Sequence, residues 1–284
     1  MHVYTVTRLP LRHAATQITR YGTTMPKSIL LPCLALGCVI SSVSSAAEPF
    51  SVSTVWEDAK LYVTAPVRWD DKDWMYFGGT LLVIGASHAF DGKVRDHFAK
   101  GSNAVLNGKD PNSVRDAIPA AALVAGTFAY AILIGDSAGR TETYTMLEAA
   151  AFSSVTAEAL KFAAGRERPN ESTLVNRWRA GGSSFPSVHV SAAFAIGTVL
   201  AESGNDEYRW IRRILGYGVA TATMYARLHD NVHWLSDTVA GAAIGISTAH
   251  FTMNRREQRA HSGEWSIAPT EHGGAMLSYT VPLH

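Results

Sequence analysis

Between Arg227 and Asp237 the chain reads Arg-Leu-His-Asp-Asn-Val-His-Trp-Leu-Ser-Asp, just before a long apolar run from Thr238 to Phe251. If that run is a helix, His233 sits in its first turn and Asp237 lies four residues on, on the same face. A carboxylate one turn from an imidazole holds one ring nitrogen and leaves the other free to attack or to carry a proton. A helix N-terminus favours an anion through its free N–H groups and its dipole. Arg227 adds a planar fork that matches phosphate oxygens. The stretch therefore predicts phosphate chemistry, although a capped helix start with a surface arginine accounts for it equally well. His229 lacks a carboxylate at helical spacing and reads as loop.

Two other stretches carry matching chemistry. Lys161-Phe-Ala-Ala-Gly-Arg-Glu-Arg168-Pro169 closes a helical segment. Pro169 biases Arg168 away from helix, so Lys161 and Arg168 can face one pocket from a helix end and the loop after it. Arg166 is a third cation there, and taken alone the stretch is an ordinary basic helix C-terminus. Ser184-Phe-Pro-Ser187-Val188-His189 opens the next helix. Ser187 is placed either to cap that helix or to donate to an oxyanion, with His189 beside it.

In this order, Lys-x6-Arg-Pro, Pro-Ser-x-His and Arg-x5-His-x3-Asp resemble the type 2 phosphatidic acid phosphatase superfamily. That superfamily also holds bacterial acid phosphatases, undecaprenyl-diphosphate phosphatases and vanadium haloperoxidases. The resemblance covers about residues 117–251. It implies that Lys161, Arg168 and Arg227 bind phosphate oxygens, with Ser187 and the backbone N–H of Val188 adding hydrogen bonds. It also implies that His233 is the nucleophile that forms a phosphohistidine, that Asp237 orients it, and that His189 protonates the leaving group. No metal or other cofactor is implied. Two positions depart from the pattern: Val188 stands where glycine is usual, and Ala226 where serine is usual. A valine would be strained if that backbone had to be left-handed.

These residues need a helical scaffold. Six apolar segments read as helices: Trp74–Phe90, Ala117–Gly135, Thr141–Ala164, Val188–Ala201, Ile211–Ala226 and Trp234–Met253. They predict an all-α, six-helix bundle over residues 71–254. Residues 48–70 form an amphipathic lead-in that Pro66 ends. Asp91 to Arg115 reads as a polar loop, and Gly165 to Ser184 as an arginine-rich one. Residues 255–284 are a tail, either irregular or a hairpin of Trp265–Pro269 and Ala275–Val281 around His272-Gly273-Gly274.

Residues 1–47 read as a signal peptide, with Met25 a plausible true start. Lys27 precedes an apolar run at Ile29–Ile40, and Ser45-Ala46-Ala47 offers a cleavage site. The 284 residues carry 2 cysteines, both in that segment, so no disulfide framework or thiolate metal site follows. A net charge of +1 gives no footprint for nucleic acid. Mean hydropathy is +0.02, low for a chain made mostly of membrane spans. Ala117–Gly135 is nevertheless the best candidate span. If six segments crossed after a cleaved signal, the three motifs would face the cytoplasm. An exported periplasmic or envelope domain, membrane-associated or resting on a membrane surface, is the expectation.

The expected function is an exported phosphatase acting on a phosphorylated lipid or prenol. The alternatives are an acid phosphatase or phosphotransferase on small phosphomonoesters, a vanadate-dependent haloperoxidase, and a non-catalytic phosphate- or lipid-binding envelope protein.

Overall fold

The computed structural model describes residues 51–100, 108–204, 208–261, 264–269 and 275–280. The expected export signal, both cysteines and the His272-Gly273-Gly274 segment lie outside the described residues.

The six expected helices are all present. They are α2 (Asp71–His88), α4 (Ser113–Leu133), α5 (Ser137–Ala164), α6 (Val188–Glu202), α7 (Arg209–His229) and α8 (Leu235–His261). The count of six is too low, because α1 (Val52–Val63) and α3 (Asp91–Phe98) are helices as well. Pro66 does end α1, and a short 3-10 turn, Ala65–Arg68, follows. The lead-in is therefore part of the packed body. Buried Asp58 on α1 pairs with Arg255 (3.0 Å) and Arg259 on α8. Tyr62 meets Thr248 at 2.8 Å and accepts from Thr156. The tail forms the hairpin, with β1 (Glu264–Pro269) antiparallel to β2 (Ala275–Thr280) and Glu264 opposite Thr280.

α6 is the central element. It is apolar nearly all round and lies against α5, α7 and α8. Its buried side chains, Val190, Ala193, Ala195, Ile196 and Val199, join Met146 and Ala149 of α5 and Ala220 of α7 in the core. Glycines set the approach of its neighbours. A Cβ on Gly245 would lie 2.3 Å from the Ser191 carbonyl oxygen, and one on Gly241 would lie 2.6 Å from that of Ser187. Backbone therefore touches backbone where α8 crosses α6, and this brings the N-termini of both helices together.

α2 and α4 have another character. α2 starts with a reciprocal Asp70–Asp73 capping box, yet none of its residues is buried and Tyr76, Leu82 and Val83 are exposed. α4 is the one described helix long and apolar enough to cross a membrane, as expected for that segment, and most of it is exposed.

Candidate active site

Gly165 ends α5 with a left-handed backbone (φ 54°), and its N–H donates to Lys161 O at 2.9 Å. The chain then turns back under the helix end. Lys161 is mostly covered and pairs with Glu158 at 3.1 Å. Arg168, three residues past the glycine, places Nη1 at 3.1 Å from Asp110 Oδ2.

At the start of α6, Ser187 occupies the N-cap position without using its hydroxyl to cap. Its Oγ is fully buried and has no hydrogen-bond partner among the described residues. Its backbone N–H donates to Asp237 O at 3.0 Å, tying α6 to the first turn of α8. Val188 is the first helical residue and is not among those with positive φ. A valine where the resembled motif usually has glycine therefore introduces no backbone strain here. His189 Nε2 lies 3.0 Å from the carbonyl oxygen of Ser113 and 3.2 Å from its hydroxyl, at the head of α4. A carbonyl only accepts, so Nε2 carries the proton in this state.

Arg227, in the last turn of α7, is fully buried. Its Nη1 donates to Asp116 Oδ2 at 2.9 Å and to Asp110 Oδ1 at 3.1 Å, and its Nη2 donates to Asp110 Oδ2. His229, expected in a loop, is instead the last residue of α7 and exposed. His233 also differs from expectation. α8 begins at Leu235, so the histidine precedes the first turn. Its Nδ1 is 3.7 Å from Asp237 Oδ2, too far for a hydrogen bond, and has no such partner among the described residues.

The reason is that the Asp237 carboxylate is already occupied. Oδ2 accepts from Ser184 Oγ at 2.5 Å and from the Trp234 N–H at 2.8 Å, and Oδ1 accepts from Arg166 at 2.6 Å. Its bond to Trp234 N–H caps α8 from its third residue. Such bonds in an empty site often tighten only when substrate arrives.

Arg166, the third cation of its stretch, is no exposed partner of a helix C-terminus: it is fully buried behind the site. It bridges Asp237 to Asp91 (2.7 Å), donates to Ser236 Oγ and Val175 O (both 2.8 Å), and lies between the rings of Trp178 and Trp234. Asp91 is buried too. It accepts from the Ser236 N–H at 2.8 Å and the Ser236 hydroxyl at 2.7 Å, and it meets His88 at 2.7 Å. This second layer was missed at the sequence level, as were Asp110, Asp116 and Ser113.

The electrostatics follow from burial and from three cations in one place. Burial first, then the charge of Arg227, pushes His189 down to about 4. Burial, then Arg227, Arg168, Lys161 and His189, hold His233 well below its ordinary value. Burial lowers Lys161 as well, against the pull of Glu158. Burial raises the Asp237 carboxyl, opposed by Arg166, Ser184 and the Trp234 N–H. Both imidazoles are thus neutral at pH 7. Arg227 and Lys161 act on both imidazoles, so the three stretches lie close to one another.

The family model of the PAP2 superfamily matches residues 143–260, a span that holds all three cations and both imidazoles. That part of the chain is similar to the PAP2 superfamily. Over 86 residues it is 37% identical to a lipid A 1-phosphatase of Porphyromonas gingivalis. That match takes in 30% of this chain and only 17% of the relative. A crystal structure of Aquifex aeolicus LpxE overlays 52% of this chain and 90% of its own, at 26% identity and a TM-score of 0.35, too loose a fit to bear on the site.

Proposed function

We propose that this chain is a PAP2-type exported phosphatase that hydrolyses phosphorylated lipids through a phosphohistidine, using residues 71–254 as its catalytic body. The observation that carries the reading is a buried, neutral His233 under the joint charge of Arg227, Arg168 and Lys161. A neutral imidazole has the lone pair needed to attack phosphorus. Three cations stabilise the charge spread over the equatorial oxygens in transfer. The unpartnered Ser187 hydroxyl, together with the Val188 N–H at the start of α6, is suited to a phosphate oxygen.

In this scheme His233 attacks phosphorus and the bond to the leaving alkoxide oxygen breaks. His189 gives that oxygen a proton. Water then attacks the phosphohistidine, returning its proton to His189 and releasing phosphate. His189 is held at about 4 by burial and by Arg227, so it gains its proton only as the phosphate charge offsets the cations that depress it. Asp237, braced by Arg166, carries the charge that His233 develops. No step calls for a metal.

A lipid substrate is supported by the lipid A 1-phosphatase relative and by the surface. Trp69, Trp74 and Phe77 cluster at the head of α2, with ring centroids 5.0–5.9 Å apart. Exposed apolar side chains continue along α2, α4 and α7. Such a belt suits the hydrocarbon boundary of a membrane.

The test is phosphate release by the purified full-length protein from phosphatidic acid, undecaprenyl diphosphate, a lipid A phosphate and a soluble aryl phosphate. His233→Ala should abolish release and eliminate an acid-labile phosphoenzyme. Wild-type turnover in His233→Ala would overturn the nucleophile assignment.

A further inference from the structure

The Arg227 guanidinium is not waiting empty. Asp110 grips it with both carboxylate oxygens, the two-pronged geometry a phosphate group would use, and the same carboxylate reaches Arg168 at 3.1 Å. Asp110 lies just before α4, and the following residues hold that segment over the site. Asn112 donates to Asp230 at 2.8 Å, Ser113 engages His189, and Arg115 donates to Asp230 at 2.9 Å. Asp116 accepts from Arg227 from behind, at 2.9 Å and fully buried in its side chain.

The two aspartates therefore differ. Asp116 is a fixed counter-ion of Arg227. Asp110 is partly open to solvent, with a side chain 15% exposed, and it alone bridges both arginines. Burial alone would raise its carboxyl, but hydrogen bonds and charge from Arg227 and Arg168 outweigh this and hold it below the usual range. Asp110 is thus an anion at neutral pH.

We propose that Asp110 is a resident competitor for the arginine pair and the residue that makes the site discriminate by phosphoryl charge. An arriving phosphoryl group must displace this carboxylate. A monoester dianion brings two charges against one and wins the exchange. A diester monoanion trades charge for charge and gains little. Asp110 therefore raises the KM for every substrate but penalises diesters most. The proposal deepens the phosphatase reading, since it takes Arg168 and Arg227 as phosphate ligands.

The experiment compares full-length wild type, Asp110→Asn and Asp110→Glu. It measures inorganic phosphate binding by calorimetry, and KM and kcat on an aryl monophosphate and an aryl diester. A competing charged hydrogen-bond pair corresponds to a change of about tenfold or more. Asp110→Asn should bind phosphate about tenfold more tightly and lower KM without a matching rise in kcat, and its preference for monoester over diester should shrink. Asp110→Glu keeps the charge and should bind phosphate less tightly than Asp110→Asn. Weaker or unchanged phosphate binding in Asp110→Asn would overturn the proposal and make Asp110 a structural brace. As a check free of any variant, saturating phosphate should speed amide hydrogen exchange over residues 108–116 of the wild type, and slower exchange there would also overturn it. If the wild type binds phosphate yet hydrolyses no ester, the phosphatase reading fails while these binding results still decide the role of Asp110.

Discussion

Replacing Arg166 with methionine should be among the most damaging single changes in this protein, although the side chain never meets solvent or substrate. Arg166 is fully buried and stands between Asp91 and Asp237, whose side chains are also fully buried, at 2.7 and 2.6 Å. Methionine fills much of the space between Trp178 and Trp234 but leaves both carboxylates without their guanidinium. Removing one partner of such a pair costs about 3–5 kcal/mol, because the remaining charge is stranded. For a body of this size, each kcal/mol lowers the melting temperature by about 2–4 °C, so a fall of about 6–20 °C is expected. Thermal unfolding of the full-length protein, with reversibility checked by refolding, is the assay. Arg166→Lys should fall in between, since it keeps the charge but cannot span both carboxylates. Adding Asp91→Asn to Arg166→Met should recover part of the loss, because it removes one of the stranded charges. A drop below about 1 kcal/mol in Arg166→Met, or no recovery in the double variant, would refute the view that this ion network holds α8 against the first turn of α3.

Two other outcomes test the packing and the charges. Gly245→Val puts a side chain against the Ser191 carbonyl oxygen and the Ala195 nitrogen, at 2.3 and 2.8 Å from Cβ; it should cost about 3 kcal/mol, whereas Gly78→Ala, which meets nothing within 4 Å, should be neutral or slightly stabilising, and equal denaturant midpoints for the two would refute the close approach. Stability should fall as pH drops from 6.5 toward 4, because the unfolded chain takes a proton that His189, held at about 4, refuses; this contribution is complete above pH 6.5 and reaches at most about 3 kcal/mol, less where solvent screens the ring, so His189→Gln should show a shallower acid slope in urea titrations, and parallel slopes would count against it.

How much of this was legible beforehand depended on whether the signal was local. The six long helices announce themselves as apolar runs, and the three motifs mark helix ends, so the scaffold and the convergence of Lys161, Arg168, Ser187, His189, Arg227 and His233 could be anticipated. α3 could not. Asp91-Gly-Lys-Val-Arg-Asp-His-Phe98 is polar and contains a glycine. Its first residue is held by Arg166 and Ser236, which lie 75 and 145 positions away. Arg166 was misread for the same reason: a guanidinium near a helix C-terminus suggests a dipole partner, and nothing nearby in sequence reveals two buried aspartates. Asp110 was hidden in an Asp-Pro turn signal. Asp237 follows His233 by four residues, but its capping bond from the Trp234 N–H and its bond from the Ser184 hydroxyl leave its carboxylate 3.7 Å from the ring, which spacing alone does not reveal.

The glycine contacts between α6 and α8 also constrain how this candidate site can change. Two helices that meet backbone to backbone have no side-chain cushion between them, so neither can slide or roll by even a fraction of a turn. The serine hydroxyl on one and the carboxylate on the other therefore keep a fixed separation whatever surrounds them. Any change in the shape of the pocket falls instead to the head of α4 and the described residues just before it, which meet the site through side-chain hydrogen bonds and not backbone against backbone.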